Sequence, residues 1–365
     1  MRILEINKLY SPHIGGVETV VKQLADRLPS LGIEVDVLVC AQKGKGSIEE
    51  LNGRRIYRAT SYGSFLSLPI SLQFFIWYYR LQKRYDAILI HEPFPLADLA
   101  NVFLSKKTKM YVWYHSDIIR QKFFAFILRP FLKITLRRAN KIFVASQALV
   151  KNSMLLKDLA VNCKVIPFGI NLDKYKNSVA VDGMAKAIKE KYGRFILAVG
   201  RLVYYKGFAC LLEALVNTKA FLIIIGAGPM YDELRVKAKI LSLEERLVIL
   251  EPTDDLCSYY AACDFLVFPS TENSEAFGIT QLEAMAFSKP VINTKLATGV
   301  PEISLHQITG LTVAPKDSKE LGEAINILWN DENLRRQYGM AAYERVQRLY
   351  DEKKFINDVA QEILN

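Results

Sequence analysis

The chain has 365 residues, a length that suits two ordinary domains, each with its own hydrophobic core. About half of the residues are apolar and a quarter are charged, which is the composition of a soluble globular protein. No stretch approaches the roughly 18 uninterrupted apolar residues of a transmembrane helix, and the start, MRILEINKLY, lacks the pattern of a signal peptide.

The cysteines and histidines argue against disulfides and structural metals. None of the five cysteines belongs to a C-x-x-C pair, and most lie in or beside apolar runs: Cys40, Cys163, Cys210, Cys257 and Cys263. We therefore expect reduced cysteines in the core of a cytosolic protein. The four histidines complete no zinc-binding pattern, so we expect no structural metal.

The net charge of +10 is unevenly distributed along the chain. Residues 1–170 carry 25 Lys and Arg against 12 Asp and Glu, whereas residues 171–365 carry 23 against 26. A basic amino-terminal half indicates that one domain faces something anionic, such as a membrane surface, a nucleic acid or a phosphorylated acceptor.

In chain order, short apolar runs alternate with helical patterns, beginning with a strand at 2–6 and a helix at 17–32. Further runs predict buried parallel strands at 35–40, 87–91, 109–115 and 141–146, and then at 195–200, 220–226, 246–250, 264–270 and 289–294. Two such series predict two doubly wound α/β domains, with parallel sheets covered on both faces. The break between them falls near 165–177, and residues 331–365 have the pattern of helices of mixed charge.

Ligands of open parallel sheets bind at the carboxyl ends of the strands, so two such domains facing each other would form a cleft there. Gly15 and Gly16, in SPHIGGVETVV, follow the first strand and precede a helix. Glycines in this place let the backbone approach a phosphate, whose charge the helix amino terminus favours. An ordinary strand-to-helix turn explains the two glycines equally well.

The segment IIIGAGPMYDEL, residues 223–234, resembles a dinucleotide-binding fingerprint but does not complete it. The pattern G-x-G-x-x-G needs a glycine at position 231, where this chain has Tyr231. We therefore predict a tight turn near a nucleotide at Gly228 and disfavour an NAD-dependent oxidoreductase.

Three charged or titratable side chains follow predicted strands. Arg201 and Lys206, in VGRLVYYKG, place two cations on a loop at the carboxyl end of a sheet, which suits a pyrophosphate. His115 ends the strand KMYVWYH and should point towards the cleft. Each has a plain alternative, namely a solvated loop for the two cations and a structural role for the histidine.

Glu275 and Glu283 stand eight residues apart in NSEAFGITQLEAMAFSKPVIN, around the predicted start of a helix at 277–280. The free backbone amides of a helix start form an anion site. Eight helical residues would span about 12 Å with nearly the same facing, roughly the reach from the sugar to the ribose of a nucleotide sugar. We expect Glu275 to accept hydrogen bonds from the sugar and Glu283 from the ribose, with the pyrophosphate between them. A solvated helix face is the alternative for Glu283.

Together these motifs, with TGVPE at 298–302, resemble the family 4 retaining glycosyltransferases of the GT-B fold. The resemblance extends over essentially the whole chain, and WYHSDIIRQK resembles bacterial mannosyltransferases that build O-antigen and related surface polysaccharides. The chain has Ser288 before Lys289 where the family usually has glycine. The resemblance implies a donor such as GDP-mannose and an acceptor carried on a lipid, with no metal or other cofactor.

The resemblance also implies roles for individual residues. Gly15 and Gly16 would approach the donor phosphate, and Arg201 and Lys206 would neutralise the pyrophosphate as it leaves. Glu275 would hold hydroxyls of the donor sugar, Glu283 would hold the ribose, and His115 would contact the sugar near the reacting carbon. The remaining donor-binding positions, including the amides that begin the helix, would be Gly228, Ala276, Phe277, Gly278, Ile279 and Thr280.

The implied domains are an acceptor-binding domain at 1–170, a nucleotide-sugar-binding domain at 171–345, and a helix at 346–365 that returns to the first domain. A donor bound by both domains would draw them together about a hinge near Phe168–Asn171. The rivals are a nucleotide-sugar 2-epimerase, which would convert the donor without an acceptor, and a nucleotide-sugar-binding module without turnover.

Two segments of the first domain predict attachment to a membrane. Residues 65–85 are rich in aromatic residues and end in Arg80, Lys83 and Arg84, and residues 120–138 interleave cations with aromatic and aliphatic residues. Basic amphipathic helices of this kind lie in a membrane interface, although a core helix with charged ends has the same pattern. We expect an enzyme bound peripherally to the cytoplasmic face of a bacterial inner membrane, and no nucleic-acid partner.

Overall fold

The computed structural model describes residues 1–13, 15–65, 68–103, 105, 108–117 and 122–365, with the side chains of 65 and 122–127 outside the description. The chain divides into two units: the first comprises residues 1–168 and 353–365, and the second comprises 169–352. The break after Phe168 lies within the predicted linker at 165–177.

The first unit is built on a sheet of eight strands among the described residues, in the order β10-β9-β8-β7-β1-β2-β4-β3. The pairs are parallel except for β3 with β4, and β5 pairs with β6 in a separate antiparallel hairpin. The strands are β1 (Arg2–Ile6), β2 (Glu34–Cys40), β3 (Ser47–Leu51), β4 (Arg54–Ala59), β5 (Ser64–Phe65), β6 (Leu68–Pro69), β7 (Ala87–Glu92), β8 (Lys109–Tyr114), β9 (Lys141–Val144) and β10 (Cys163–Val165).

Helices connect these strands, and all but the first of them cover the face of the sheet where residues such as Leu4, Ile88 and Val112 form the core. They are α1 (Gly16–Arg27), α2 (Leu72–Leu81), α3 (Pro95–Asn101), α4 (Lys122–Arg138) and α5 (Gln147–Asn152). The five predicted strands of this half are confirmed. The antiparallel β3–β4 hairpin was not predicted, although its turn, Asn52-Gly53 with positive φ at both residues, is a strong hairpin signal.

The second unit is a six-stranded, wholly parallel sheet in the described residues, in the order β13-β12-β11-β14-β15-β16. Its strands are β11 (Ile196–Val199), β12 (Leu222–Ile225), β13 (Leu247–Leu250), β14 (Leu266–Val267), β15 (Val291–Thr294) and β16 (Gly310–Val313). Its helices are α6 (Val179–Tyr192), α7 (Phe208–Val216), α8 (Tyr231–Ile240), α9 (Leu256–Ala262), α10 (Ile279–Ala286), α11 (Val300–Ile303), α12 (Ser318–Asn330) and α13 (Glu332–Leu349). This strand order is that of a dinucleotide-binding sheet. The strand order of the first sheet also reverses direction at β1, so both predicted doubly wound domains are confirmed.

The last helix, α14 (Glu352–Leu364), belongs almost entirely to the first unit. Phe355 packs edge-on against Trp113, and the hydroxyl of Tyr111 donates to the backbone oxygen of Ile363. The helix therefore covers the face of the first sheet opposite to α2. The predicted boundary between residues 345 and 346 is wrong, because it falls inside α13, where Val346 is fully buried.

The two predicted membrane segments differ in the structure. In α4, Leu132, Thr135 and Leu136 are buried, and Arg138 donates to the backbone oxygens of Asn101 and Ser105. The described part of α4 is thus largely a core helix. Phe123, Phe124 and Phe126, on which the membrane prediction also rested, lie outside the described side chains.

Helix α2 has a buried face and an apolar exposed face. Phe74 and Tyr78 are buried, whereas Leu72, Ile76 and Tyr79 are between 50% and 69% exposed. Within the described residues, no helix combines the length and the apolar character needed to cross a membrane.

Candidate active site

The second sheet has its topological switch point at β11, which lies between β12 and β14. Chain connections leave in opposite directions on either side of such a point, so the loops after β11 and β14 border a crevice in which ligands bind. Residues 200–207 follow β11, and residues 268–278 follow β14 and lead into α10. Six of the predicted site residues fall in these two loops.

The two loops are joined by a buried ion pair. The Nζ atom of Lys206 lies 2.5 Å from Oε2 of Glu275, and the two side chains are only 14% and 11% exposed. The hydroxyl of Ser270 donates to the same carboxylate oxygen at 3.0 Å. The Lys206 ammonium also lies 5.1 Å from the centre of the Phe268 ring. The structure therefore brings together one predicted cation and one predicted sugar-binding carboxylate.

Backbone contacts hold the loops at this separation. The amide of Thr271 donates to the carbonyl of Tyr205 at 2.7 Å. Gly207 adopts a positive φ of 72°, and a Cβ atom there would lie 1.9 Å from the carbonyl oxygen of Pro269. Glycine is thus required directly after Lys206, because any side chain would push the two loops apart.

Helix α10 begins directly beyond Glu275. Gly278 caps it in the left-handed region, with φ of 90°, and the first intrahelical bond runs from the amide of Gln281 to the carbonyl of Gly278. The amides of Ile279 and Thr280 therefore precede the hydrogen-bonded part of the helix, where the macrodipole favours an anion. The predicted helix start is confirmed.

Glu283 lies within α10 and is held by two tyrosines. The hydroxyl of Tyr175 donates to Oε1 and that of Tyr260 donates to Oε2, each at 2.7 Å. Burial, followed by the charge of Glu283, raises the pKa of both tyrosines, so both hydroxyls stay protonated donors. The solvated alternative for Glu283 is therefore wrong. The predicted helical spacing from Glu275 is also wrong, because Glu275 precedes α10 in a loop.

Four further predicted positions border this site. Arg201 is exposed on the loop after β11. Gly228 lies after β12, and a Cβ atom there would lie 2.4 Å from the carbonyl oxygen of Leu202 on that same loop. The carbonyl of Ala276 accepts a hydrogen bond from the amide of Gly299 at 2.9 Å. Phe277, which precedes the cap, is buried.

In the first unit, the predicted glycines begin α1. Gly15 is its amino-terminal cap and Gly16 its first residue. A Cβ atom on Gly15 would lie 2.2 Å from a carboxylate oxygen of Glu18, whereas one on Gly16 would meet nothing within 4 Å. Because that oxygen ends a flexible side chain that can move aside, packing requires glycine at neither position.

His115 follows β8 and is buried, with its ring stacked on Trp113 and Phe168. Its Nε2 atom lies 2.9 Å from Nδ1 of His91, and Nε2 of His91 lies 2.8 Å from Oε1 of Glu5. Burial lowers the pKa of His115 to about 3, so the imidazole is neutral at physiological pH.

Sequence reasoning missed the partners of three predicted residues: Ser270 beside Glu275, Tyr175 and Tyr260 beside Glu283, and His91 with Glu5 beside His115. His91 had a signal, since it also ends an apolar run. In the described residues, no cluster of three or more His, Cys, Asp or Glu side chains is suited to a metal ion. That the protein needs no metal stays a prediction.

Comparisons with known proteins identify the family of the chain. Residues 14–174 match the model described as Glycosyltransferase Family 4, and residues 184–345 match Glycosyl transferases group 1. The chain is 32% identical to O-antigen chain mannosyltransferase C of Escherichia coli, over 96% of this chain and 94% of the relative. It is also 32% identical to D-rhamnosyltransferase WbpZ of Pseudomonas aeruginosa, over 96% and 92%.

A solved structure of HepE from Anabaena, in complex with UDP, superposes with a TM-score of 0.81 over the full length of both chains, at 21% identity. At this identity the likeness shows a shared fold. Because full-length relatives are 32% identical and the models of both halves match, the chain belongs to the group 1 and family 4 glycosyltransferases and has the GT-B fold.

Proposed function

We propose that the protein is a retaining hexosyltransferase, which moves mannose from GDP-mannose to a lipid-linked saccharide in the synthesis of a bacterial surface polysaccharide such as O-antigen. The observation that carries this proposal is the buried pair of Lys206 and Glu275 at the start of α10. It occurs in a chain 32% identical to an O-antigen mannosyltransferase over nearly its whole length.

The pair suits a donor whose sugar and leaving group lie side by side. Glu275 binds Lys206 and Ser270 through Oε2, which leaves the rest of its carboxylate to accept bonds from sugar hydroxyls. Lys206 supplies a fixed positive charge where the departing diphosphate gains negative charge, and the amides of Ile279 and Thr280 supply further donors. Preorganised charges of this kind stabilise the transition state without a metal.

Retention of configuration is part of the proposal, and the same geometry argues against a double displacement through Glu275 as its route. Glu275 is engaged by Lys206 and Ser270, which makes it a poor nucleophile towards the sugar carbon. In the proposed mechanism the leaving phosphate takes the proton of the acceptor hydroxyl on the face from which it departs. The new bond then forms on that same face, and the product keeps the anomeric configuration of the donor.

A second donor, carrying D-rhamnose, is favoured by the equal identity to a D-rhamnosyltransferase. D-Rhamnose is 6-deoxymannose, so the two donors differ by one hydroxyl group. A site built to hydrogen-bond a hydroxyl rejects the analogue that lacks it far more strongly than an apolar pocket rejects an added one. Relative kcat/KM values for GDP-mannose and GDP-D-rhamnose therefore decide between the two sugars.

The proposed acceptor is carried on a lipid, so the protein must reach a membrane. We propose that α2 lies in the interface of an anionic membrane. Leu72, Ile76 and Tyr79 form its exposed apolar face, beside a groove of about 430 Å³ that Phe75 and Phe103 also line. The exposed cations Arg80, Lys83 and Arg84 follow at the end of the helix. An anionic bilayer contributes about 1 kcal/mol for each well-placed cation, and the apolar face adds burial.

The proposal is tested with purified protein, GDP-, UDP- and ADP-sugars, and a lipid-linked saccharide acceptor. We expect transfer from GDP-mannose, an axial product linkage by NMR, and loss of transfer in Glu275→Ala with the fold retained. Conversion of the donor without acceptor would instead indicate an epimerase, and binding without turnover a regulatory module. Transfer from UDP-sugars alone would overturn the choice of donor.

Membrane attachment has its own test. A variant with Arg80, Lys83 and Arg84 replaced by glutamine should sediment much less with vesicles containing phosphatidylglycerol. A matched control, with glutamine at the exposed Lys186, Lys189 and Lys191 of α6, should sediment like the parent. Equal sedimentation of both variants would show that α2 is not the anchor.

A further inference from the structure

A buried hydrogen-bonded series in the first unit joins Glu5 to His91 and His91 to His115. The three residues lie on adjacent strands, or directly after them: Glu5 on β1, His91 on β7 and His115 at the end of β8. Register pairs Glu5 with Leu89 and His91 with Trp113, so all three side chains lie on the same face of the sheet. Their polar atoms join at 2.8 and 2.9 Å.

This hydrogen-bonded series is enclosed by the surrounding protein. Glu5 is fully buried and His91 is 1% exposed, and Trp113 stacks on both imidazole rings. Oε2 of Glu5 is a buried oxygen without a hydrogen-bond partner among the described residues. An ionised carboxylate with one bare oxygen in such surroundings is costly, whereas a neutral acid leaves only an unpaired carbonyl-type oxygen.

The pKa shifts of Glu5, His91 and His115 favour the neutral form of each residue. Burial raises the pKa of Glu5 well above its usual range, against the opposing effect of the Arg54 guanidinium and with a smaller contribution from Asp26. Burial lowers the pKa of His91 and, to about 3, that of His115. A protonated Glu5 then donates to Nε2 of His91, and Nδ1–H of His91 donates to Nε2 of His115. The remaining proton of His115 must lie on Nδ1.

We propose that Glu5 and His91 are positioning residues that hold His115 in its Nδ1–H tautomer, so that it presents a hydrogen-bond donor to an oxygen of the nucleotide sugar. Among the described residues, no group hydrogen-bonds to Nδ1 of His115, and that atom is not one of the buried polar atoms left unpaired. The oxygen it meets belongs either to the sugar or to the diphosphate. This inference rests on the proposed role of His115 at the donor.

The first test is spectroscopic and uses the unmodified protein. The chain has four histidines, His13, His91, His115 and His306, so ¹⁵N-histidine spectra can be assigned with single glutamine replacements. We expect a proton on Nδ1 and none on Nε2 of His115. The opposite tautomer would overturn the proposal, whether or not the enzyme transfers sugar, which separates its failure from that of the proposed function.

The second test replaces Glu5. In Glu5→Gln the amide N–H still donates to His91, so the tautomer of His115 and kcat should stay within about threefold of the parent. In Glu5→Leu the donor is lost, and we expect kcat to fall about tenfold to a hundredfold, the loss that follows removal of a partner that orients a metal-binding histidine. Equal loss in both variants would overturn the proposal. If Glu5→Leu does not fold, the spectrum of Glu5→Gln still decides.

The control is Glu92→Gln, on β7 beside His91. Glu92 is also a buried carboxylate, and one of its oxygens has no hydrogen-bond partner among the described residues, but it is not part of the hydrogen-bonded series that ends at His115. Its replacement should leave the tautomer of His115 unchanged, and a changed tautomer would contradict the proposed role of Glu5 and His91.

A third variant shows which oxygen His115 meets. His115→Gln should weaken the binding of GDP-mannose but not of GDP if Nδ1 meets the sugar, and should weaken the binding of both if Nδ1 meets phosphate. Unchanged binding and kcat would remove His115 from the donor site.

Discussion

Replacing Lys206 with methionine tests whether the buried ion pair stabilises the second unit. The change leaves Glu275, which is 11% exposed on its side chain, with Ser270 as its remaining hydrogen-bond donor. Removing one partner of a buried pair typically costs about 3–5 kcal/mol. Because Ser270 still donates, we expect the lower limit, about 3 kcal/mol of unfolding free energy. For a unit of this size that corresponds to a fall in Tm of about 6–12 °C.

The matched control is Lys237→Met in the same unit. Lys237 lies 2.5 Å from Glu213, the same distance as in the buried pair, but the two side chains are 28% and 46% exposed. An exposed pair contributes about 0–1 kcal/mol, so this variant should unfold almost like the parent. Both pairs join a lysine to a glutamate at the same distance, so the main difference between them is exposure to water.

A double variant, Lys206→Met with Glu275→Gln, completes the cycle. Its loss of unfolding free energy should be at least about 1 kcal/mol smaller than the sum of the two single losses, because neither charge is left alone. Its transfer activity should nevertheless remain abolished, since both proposed roles at the donor are missing. The assays are urea denaturation followed by circular dichroism, and transfer from GDP-mannose. Additive losses, or equal losses in Lys206→Met and Lys237→Met, would refute the reasoning.

Three further outcomes are expected. Tyr175→Phe and Tyr260→Phe each remove a charge-assisted hydrogen bond to Glu283, so the KM for the donor should rise about tenfold. With a donor that carries 2′,3′-dideoxyribose, the variants and the parent should have the same KM. A KM that stays higher in the variants with this donor would contradict the proposed role of Glu283 at the ribose. Ser288 follows the end of α10 and has a φ of 57°, so Ser288→Gly should stabilise the protein by about 1 kcal/mol in urea denaturation. Ser242→Gly, at φ of 54°, should do the same, and destabilisation in both variants would contradict the strain argument. The pKa of His115 is lowered to about 3 in the folded state, so the stability that this residue contributes is complete above pH 6.5 and is lost as the pH falls towards 3. Between pH 7 and 5, the unfolding free energy of the parent should therefore fall by about 2 kcal/mol more than that of His115→Gln. Parallel plots of unfolding free energy against pH would show a charged His115.

The backbone conformation at position 288 explains why the family usually has glycine where this chain has Ser288. Ser288 donates to the carbonyl of Met285 and Lys289 to that of Ala284, a helix-ending pattern that places residue 288 in the left-handed region. The family's usual glycine fits that conformation without strain. The sequence identified an unusual residue, and only the backbone conformation explains why glycine is common there.

The sequence by itself determined the elements that depend on local pattern. Continuous apolar runs such as those of β11 and β12 can be buried on both faces only in a parallel sheet covered by helices. The glycine before Ile279 and the apolar residues around Glu283 likewise fixed the start and inner face of α10. These features follow from neighbours within a few residues, so one chain without relatives suffices to predict them.

The tertiary structure alone decided which distant side chains meet. Glu5, His91 and His115 come together because β1, β7 and β8 are adjacent in the sheet, although 86 residues separate the first two. Tyr175 reaches Glu283 across 108 residues, and Lys206 pairs with Glu275 because two loops meet at the switch point. Periodicity shows which way a residue faces within its strand, but strand order arises from pairing between distant segments, and no local pattern records it.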